Sequence, residues 1–265
     1  MFVGFNAHIS KKGVCPSYFK DYGQGLYDEQ KNTVHSQLSS YVLDEGVLDA
    51  TRIEEDWFPS IDAEVFISHS HKDQELAITF AGWLHEIFGI SSFIDSCVWG
   101  YADNLLRIID NNYCVNKRKE DGSIDTYDYK KRNQSTAHVH MILNTALQKM
   151  IDKTECLVFL NTPNSLLIDN LIGGSATASP WIYSELTFSR LCRKRKLLEY
   201  RQQIAHDSLH EFTQLSVRYD VTLTHLVDLK DSDLLQIWKC SRMKRPQEAL
   251  DNLYTNLGLI GTGNQ

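Results

Sequence analysis

The chain of 265 residues has no C-x-x-C pair, no G-x-G-x-x-G after a strand, no G-x-x-x-x-G-K-[ST] and no G-x-S-x-G. The six cysteines (Cys15, Cys97, Cys114, Cys156, Cys192, Cys240) are scattered, which argues against a disulfide framework or a zinc ribbon and suits small buried apolar residues. The missing glycine motifs weaken Rossmann-type dinucleotide binding, P-loop NTP hydrolysis and serine hydrolysis together. Positive charge is also scarce: 27 Lys and Arg stand against 34 Asp and Glu, a net −7, so nucleic-acid binding has no electrostatic support. The local basic clusters at 116–119, 130–132 and 190–196 read as solvated faces or helix C-terminal turns. No run approaches the roughly 18 consecutive apolar residues of a membrane span. The opening MFVGFNAHISKKG lacks the basic-then-apolar order of a signal peptide. No membrane partner and a cytoplasmic address are therefore expected.

What is present is a 42% hydrophobic composition with negative mean hydropathy, as a globular chain requires. Residues 1–61 show turn chemistry at Lys12-Gly13, Cys15-Pro16 and Tyr22 to Gly25, then helical spacing at Val34, Leu38, Tyr41 and Val42. With no clear strand signal, they read as an N-terminal extension packed on the core. Ala63 to Ser68 is a short run rich in β-branched and aromatic residues, and Gln74 to Phe88 has helical spacing with Gly89 at its stop. Ser91 to Asp95 is a second strand, completing one βαβ unit. Cys97 to Asp103 reads as a loop before a short helix ending near Asn111, and 115–134 as a polar insertion.

Ser135 to Lys149 reads as helix, Glu155 to Leu160 as a third buried strand, and Asn161 to Asn164 as a turn. A Gly/Ser/Thr-rich loop over 172–179 then leads into a helix with Ser179 as N-cap and Pro180 at its first position. Val221 to Val227 is the last expected strand, and Asp233 to Lys239 and Pro246 to Leu257 are helices of a C-terminal extension over 231–265. The alternating order predicts an α/β open parallel sheet with helices on both faces, with the main domain at 62–230. Ligands of such sheets lie beyond the carboxyl ends of the strands, where HSHKD, Asp95 to Asp103 and Asn161 to Ser165 all fall.

Two constellations carry candidate chemistry. His69, His71 and Asp73 follow the H-x-H-x-D spacing of metallohydrolase ligands, but the histidine such a signature needs at its sixth position is Gln74. His138 and His140, two apart on a helix, would point to opposite faces, so they cannot share one ion. His206, His210 and His225 have no zinc-ligand spacing to either pair. No metal is expected, and His69 and His71 read as lining a polar strand end, one of them capping the next helix. Trp181 and Glu185, four apart at the start of a helix, share one face about 5–6 Å apart at Cβ. An ordinary amphipathic helix shows the same spacing.

VFISHSHKD at the first strand, FIDSCVWG at the second, ECLVFLNTPNS at the third and SPWIYSEL opening the next helix together resemble a TIR (Toll/interleukin-1 receptor) domain of bacterial type, over about residues 62–230. The resemblance implies a flavodoxin-like sheet of about five strands. It implies an enzyme that cleaves the nicotinamide–ribose bond of NAD+, with Glu185 as the catalytic carboxylate and Trp181 as its aromatic partner. Ser68, His69, Ser70 and His71 at the strand exit, with Asp95, Trp99 and Tyr101 on the segment matching the family's BB loop, would line the nucleotide pocket. That segment has Val98 to Tyr101 in place of the family's usual proline. NAD+ would be substrate, with no cofactor. The product would be ADP-ribose or a cyclic or conjugated form of it, which in antiphage defence of the Thoeris kind carries a signal to a separate effector. Homo-oligomers through TIR–TIR contacts are implied as well. The competing readings are a non-catalytic TIR self-association or adaptor module, and a metallohydrolase built on His69, His71 and Asp73.

Overall fold

Two stretches without a single exposed position form the middle of the main sheet: β2 (Val65–Ser68) and β6 (Cys156–Leu160). A strand that is apolar at every position must be covered on both faces, which a parallel sheet between helix layers provides. In the computed structural model, which describes residues 1–10, 17–32, 48–58, 61–168, 175–201, 219–220, 223–240 and 245–260, these strands join β1 (Val3–His8), β3 (Ser92–Ile94) and β10 (Val227–Lys230) in one five-stranded sheet of order β10-β1-β6-β2-β3. Every neighbouring pair runs parallel. The architecture is an α/β open sheet of flavodoxin-like kind. Counted from β2, the spatial order is the familiar 2-1-3-4-5 with β1 filling the fourth place.

The position of β1 corrects the expectation that residues 1–61 form an extension without strands. Val3, Phe5 and Ala7 alternate with Gly4, Asn6 and His8, a period of two that the opening sequence does carry. β1 lies between β6 and β10, and Phe5 is fully buried with its ring stacked on Tyr254 at 6.2 Å. Phe5→Ala should therefore cost about 3–5 kcal/mol in chemical denaturation. A loss under about 1 kcal/mol would return β1 to the standing of an appendage.

Helix α1 (Phe19–Asn32) packs along α3 (Gln74–Phe88), and α2 (Ala50–Trp57) buries Ile53 and Trp57. Tyr22 to Gly25, read as a turn, is inside α1. Its Gly23 faces the backbone of Ile78, and Gly82 of α3 faces the backbone of Phe19 and Gly23, so the glycines mark a close helix crossing. α3 ends as expected on Gly89, at φ 71°. The helical spacing from Val34 to Val42, the glycines at 173–174, His206, His210 and the start of the expected strand at 221–222 lie outside the described residues.

Past β3 the chain enters α4 (Ser96–Tyr113) at once, so the expected loop over 97–103 is helix. Cys97, Val98, Ala102, Leu105 and Ile109 form its buried face, while Gly100 faces open space. The insertion is a hairpin of β4 (Val115–Arg118) and β5 (Ile124–Tyr127), with Gly122 at φ 83° in its turn. It leads into α5 (Tyr129–Lys153), capped by Asp128. A small sheet joins β7 (Leu167–Ile168), β8 (Ser175–Thr177) and β9 (Tyr219–Asp220). α6 (Pro180–Leu191) begins as expected, with the Ser179 side chain accepting from Ile182 N–H at 3.3 Å.

The last strand starts later than expected because Leu223 to Leu226 close a turn, Leu226 N–H donating to the Leu223 carbonyl at 2.9 Å. α7 (Leu197–Arg201) brings Arg201 to the buried Glu155, which also accepts from Tyr254 Oη at 2.8 Å. After α8 (Asp231–Cys240), α9 (Pro246–Asn256) places Ala249, Leu250, Leu253 and Tyr254 in the common core. The C-terminal segment is thus packed into the fold.

Candidate active site at the strand ends

The sheet order reverses between β2 and β6, because β3 lies on one side of β2 and the chain then crosses to the other. Beyond the carboxyl ends of strands, such a switch point opens a crevice. Ser68, the last residue of β2, stands there fully buried, and its Oγ donates to Glu185 Oε2 at 2.5 Å. The two are 117 residues apart. α6 delivers Glu185 from its second turn, only 2% exposed, and among the described residues Oε1 has no hydrogen-bond partner. Burial pushes the Glu185 carboxyl well above the usual carboxylate range, the nearby Asp95 carboxylate adds to the rise, and the Ser68 hydroxyl opposes it.

Asp95 continues β3 by one residue and is also fully buried. His69 Nδ1 lies 2.6 Å from its Oδ1, and the His69 backbone N–H donates to Oδ2 at 3.4 Å. That engagement is the reason Asp95 does not cap α4, although it occupies the N-cap position. Trp99, on the first turn of α4, stacks on the His69 ring at 5.3 Å and 25°, and its other neighbour is the His71 ring at 5.6 Å. Among the described residues His69 Nε2 and Trp99 Nε1 have no hydrogen-bond partner. Ser68, His69, Asp95, Trp99 and Glu185 thus form one buried cluster containing three orphaned polar atoms. Buried polar groups are rarely left so, and a bound ligand is the usual reason.

The remaining expected residues lie around this cluster. Ser70 is half-buried and makes no side-chain capping bond at the short 3-10 turn His71–Asp73. Neither histidine caps α3; its N-cap residue is Asp73, and that carboxylate instead accepts from Thr162 Oγ1 at 2.5 Å and Asn164 Nδ2 at 2.8 Å. This ties the exit of β2 to the loop after β6. Among the described residues no group of three or more His, Cys, Asp or Glu converges as a metal site would require. Tyr101 is half-buried on α4, and burial pushes its phenol up. Trp181, one turn before Glu185, meets the His140 ring edge to face at 5.5 Å and 81°. Burial lowers the His140 imidazole from its ordinary value, against the opposing pull of Asp103.

Sequence reasoning missed two supports. Tyr27 of α1 donates to the Ser96 carbonyl at 3.1 Å and accepts from Gln74 Nε2 at 2.7 Å, bracing the residue after Asp95. Gln30 donates to the Ser92 carbonyl at 2.7 Å. Their i, i+3 spacing on α1 was the available signal. No family model, curated protein or solved structure matches the chain.

Proposed function

We propose that the chain cleaves the nicotinamide–ribose bond of NAD+, as TIR enzymes do, releasing nicotinamide and ADP-ribose or a cyclic or conjugated form of it as a signal in antiphage defence. The observation that carries this reading is Glu185: a carboxyl buried at the switch-point crevice, held by Ser68 through one oxygen and unpartnered at the other, beside stacked aromatic rings. Nicotinamide in NAD+ is already a cationic leaving group. The C1′–N bond breaks with its electron pair going to the ring, so the departing base is neutral and needs no general acid. The positive charge moves to the ribose as an oxocarbenium-like centre, which a fixed carboxylate in a water-poor site stabilises strongly. The substrate's own positive charge favours the ionised form of Glu185 that burial disfavours in the free protein. Glu185 Oε1 is the atom available to hold a ribose hydroxyl.

The aromatic surfaces of Trp99 and Trp181 suit stacking on a heteroaromatic base and exclusion of water. Water adding to C1′ and losing a proton gives ADP-ribose; an adenine nitrogen adding in its place gives a cyclic product. Mass spectrometry of the small molecules formed when the full chain is incubated with NAD+, at protein concentrations that permit self-association, should show stoichiometric nicotinamide and one ADP-ribose-derived species. NAD+ recovered intact under those conditions overturns the reading.

A further inference from the structure

The face of the sheet that carries Ser68 holds a second polar group which no step of the proposed chemistry uses. In register, Ser68 of β2 stands beside Phe159 of β6, Phe159 beside Asn6 of β1, and Asn6 beside Asp228 of β10. Residues level with one another across a sheet share a face, so this is one row running from the Glu185 site to the far edge. Asn6 is only 7% exposed and its amide is fully engaged. Nδ2 donates to Asp228 Oδ1 at 2.9 Å and lies 3.2 Å from His8 Nε2, while Oδ1 accepts from Asn161 Nδ2 at 2.9 Å. The buried amide thereby orients two solvent-exposed groups, the Asp228 carboxylate and the His8 ring, at the open end of the row.

Two strand spacings separate Ser68 from Asn6 and three separate it from Asp228, roughly 10 and 14 Å at about 4.8 Å per strand. That span matches a dinucleotide opened along its pyrophosphate, with one ribose at each end. A carboxylate accepts hydrogen bonds from both hydroxyls of a ribose diol and repels a phosphate in the same place. We propose that Asp228, oriented by Asn6 and flanked by His8 and Asn161, binds the diol of the adenosine ribose and selects NAD+ over its 2′-phosphorylated counterpart. This rests on the reading of the Glu185 crevice as the nicotinamide–ribose end.

Titration calorimetry on the full chain tests it with three probes: ADP-ribose, ADP-ribose 2′-phosphate and nicotinamide mononucleotide. The native chain should bind ADP-ribose about tenfold more tightly than the 2′-phosphate form. Asp228→Asn, which keeps the shape and removes the charge, should weaken ADP-ribose about tenfold and erase that preference. Nicotinamide mononucleotide, which has no second ribose, should lose less than about twofold. The subsite is overturned if Asp228→Asn leaves the affinity or the preference intact, if it weakens the mononucleotide equally, or if the native chain binds no ADP-ribose. Preferential ADP-ribose binding without nicotinamide release from NAD+ would remove the proposed chemistry and keep the subsite.

Discussion

Replacing Glu185 with glutamine should abolish nicotinamide release, by at least about 10²–10³-fold in kcat, while leaving the chain folded. Glutamine keeps the volume and can still accept from Ser68 Oγ, but it carries no charge to place against an oxocarbenium centre. Full NAD+ turnover by Glu185→Gln would eliminate Glu185 as the reacting carboxylate. The same substitution has a second, opposite consequence for stability. The native Glu185 carboxyl titrates well above its ordinary value of 4.5, so folding favours the protonated form. Stability from this group is complete below about 4.5 and is lost as pH rises through the native value, because the unfolded chain ionises first and gains free energy that the folded chain does not.

Glutamine cannot ionise, so Glu185→Gln should melt higher than the native chain at pH 8, by roughly 2–4 °C for each kcal/mol recovered, and the gain should vanish near pH 4. Thermal melts of both proteins across that range check the sign. A variant less stable at pH 8 than at pH 4, relative to the native chain, would mean that the buried carboxyl is stabilised as the anion. A residue that destabilises its own fold at working pH and is retained there is the signature of a site built for reaction.

The second large effect belongs to the α1–α3 crossing. A Cβ added at Gly82 would stand 2.3 Å from the Phe19 carbonyl oxygen and 2.6 Å from the Gly23 nitrogen; one added at Gly23 would stand 1.9 Å from the Ile78 carbonyl oxygen. These neighbours are backbone, so no rotamer change relieves the overlap and the helices must separate. Gly82→Ala and Gly23→Ala should each destabilise by about 1–3 kcal/mol or more, even though alanine is the better helix former by about 1 kcal/mol. Gly25 supplies the control on the same helix, since a Cβ there meets nothing within 4 Å. Gly25→Ala should be neutral or stabilising by up to about 1 kcal/mol in the same denaturation experiment. Equal responses at Gly23 and Gly25 would show that the close crossing does not exist. Because α1 supplies Tyr27 and Gln30 to the end of β3, separation of the helices should also loosen Asp95 and its contact with His69.

Much of this was legible from neighbouring residues. VFIS, SFI and CLVFL declared buried strands because no polar residue interrupts them, and Gly89 and Ser179-Pro180 marked helix ends because their conformational demands are local. The i, i+4 placement of Trp181 and Glu185 on one helix is likewise a property of sequence spacing. The errors lay where the same local signal has two outcomes. Tyr22-Gly-Gln-Gly25 reads equally as a turn or as a helix surface that another helix approaches, and only the presence of Gly82 opposite it decides. Cys97 to Asp103 contains Gly100 and reads as loop, yet burial of Cys97, Val98 and Ala102 against the core pulls it into α4.

By itself, then, the sequence determined the order of strands and helices, the parallel α/β class and the presence of Glu185 on the rim. Tertiary structure alone decided that β1 sits inside the sheet, because its partners β6 and β10 lie some 150 and 220 residues away along the chain and hydrogen bonding between strands leaves no local trace. It alone set the state of Glu185, since a carboxyl's affinity for its proton depends on the water it loses and the charges brought beside it. Ser68 and Asp95 reach it from two other strands. Asn6 and Asp228, 222 positions apart, meet for the same reason: the sheet, not the chain order, makes them neighbours.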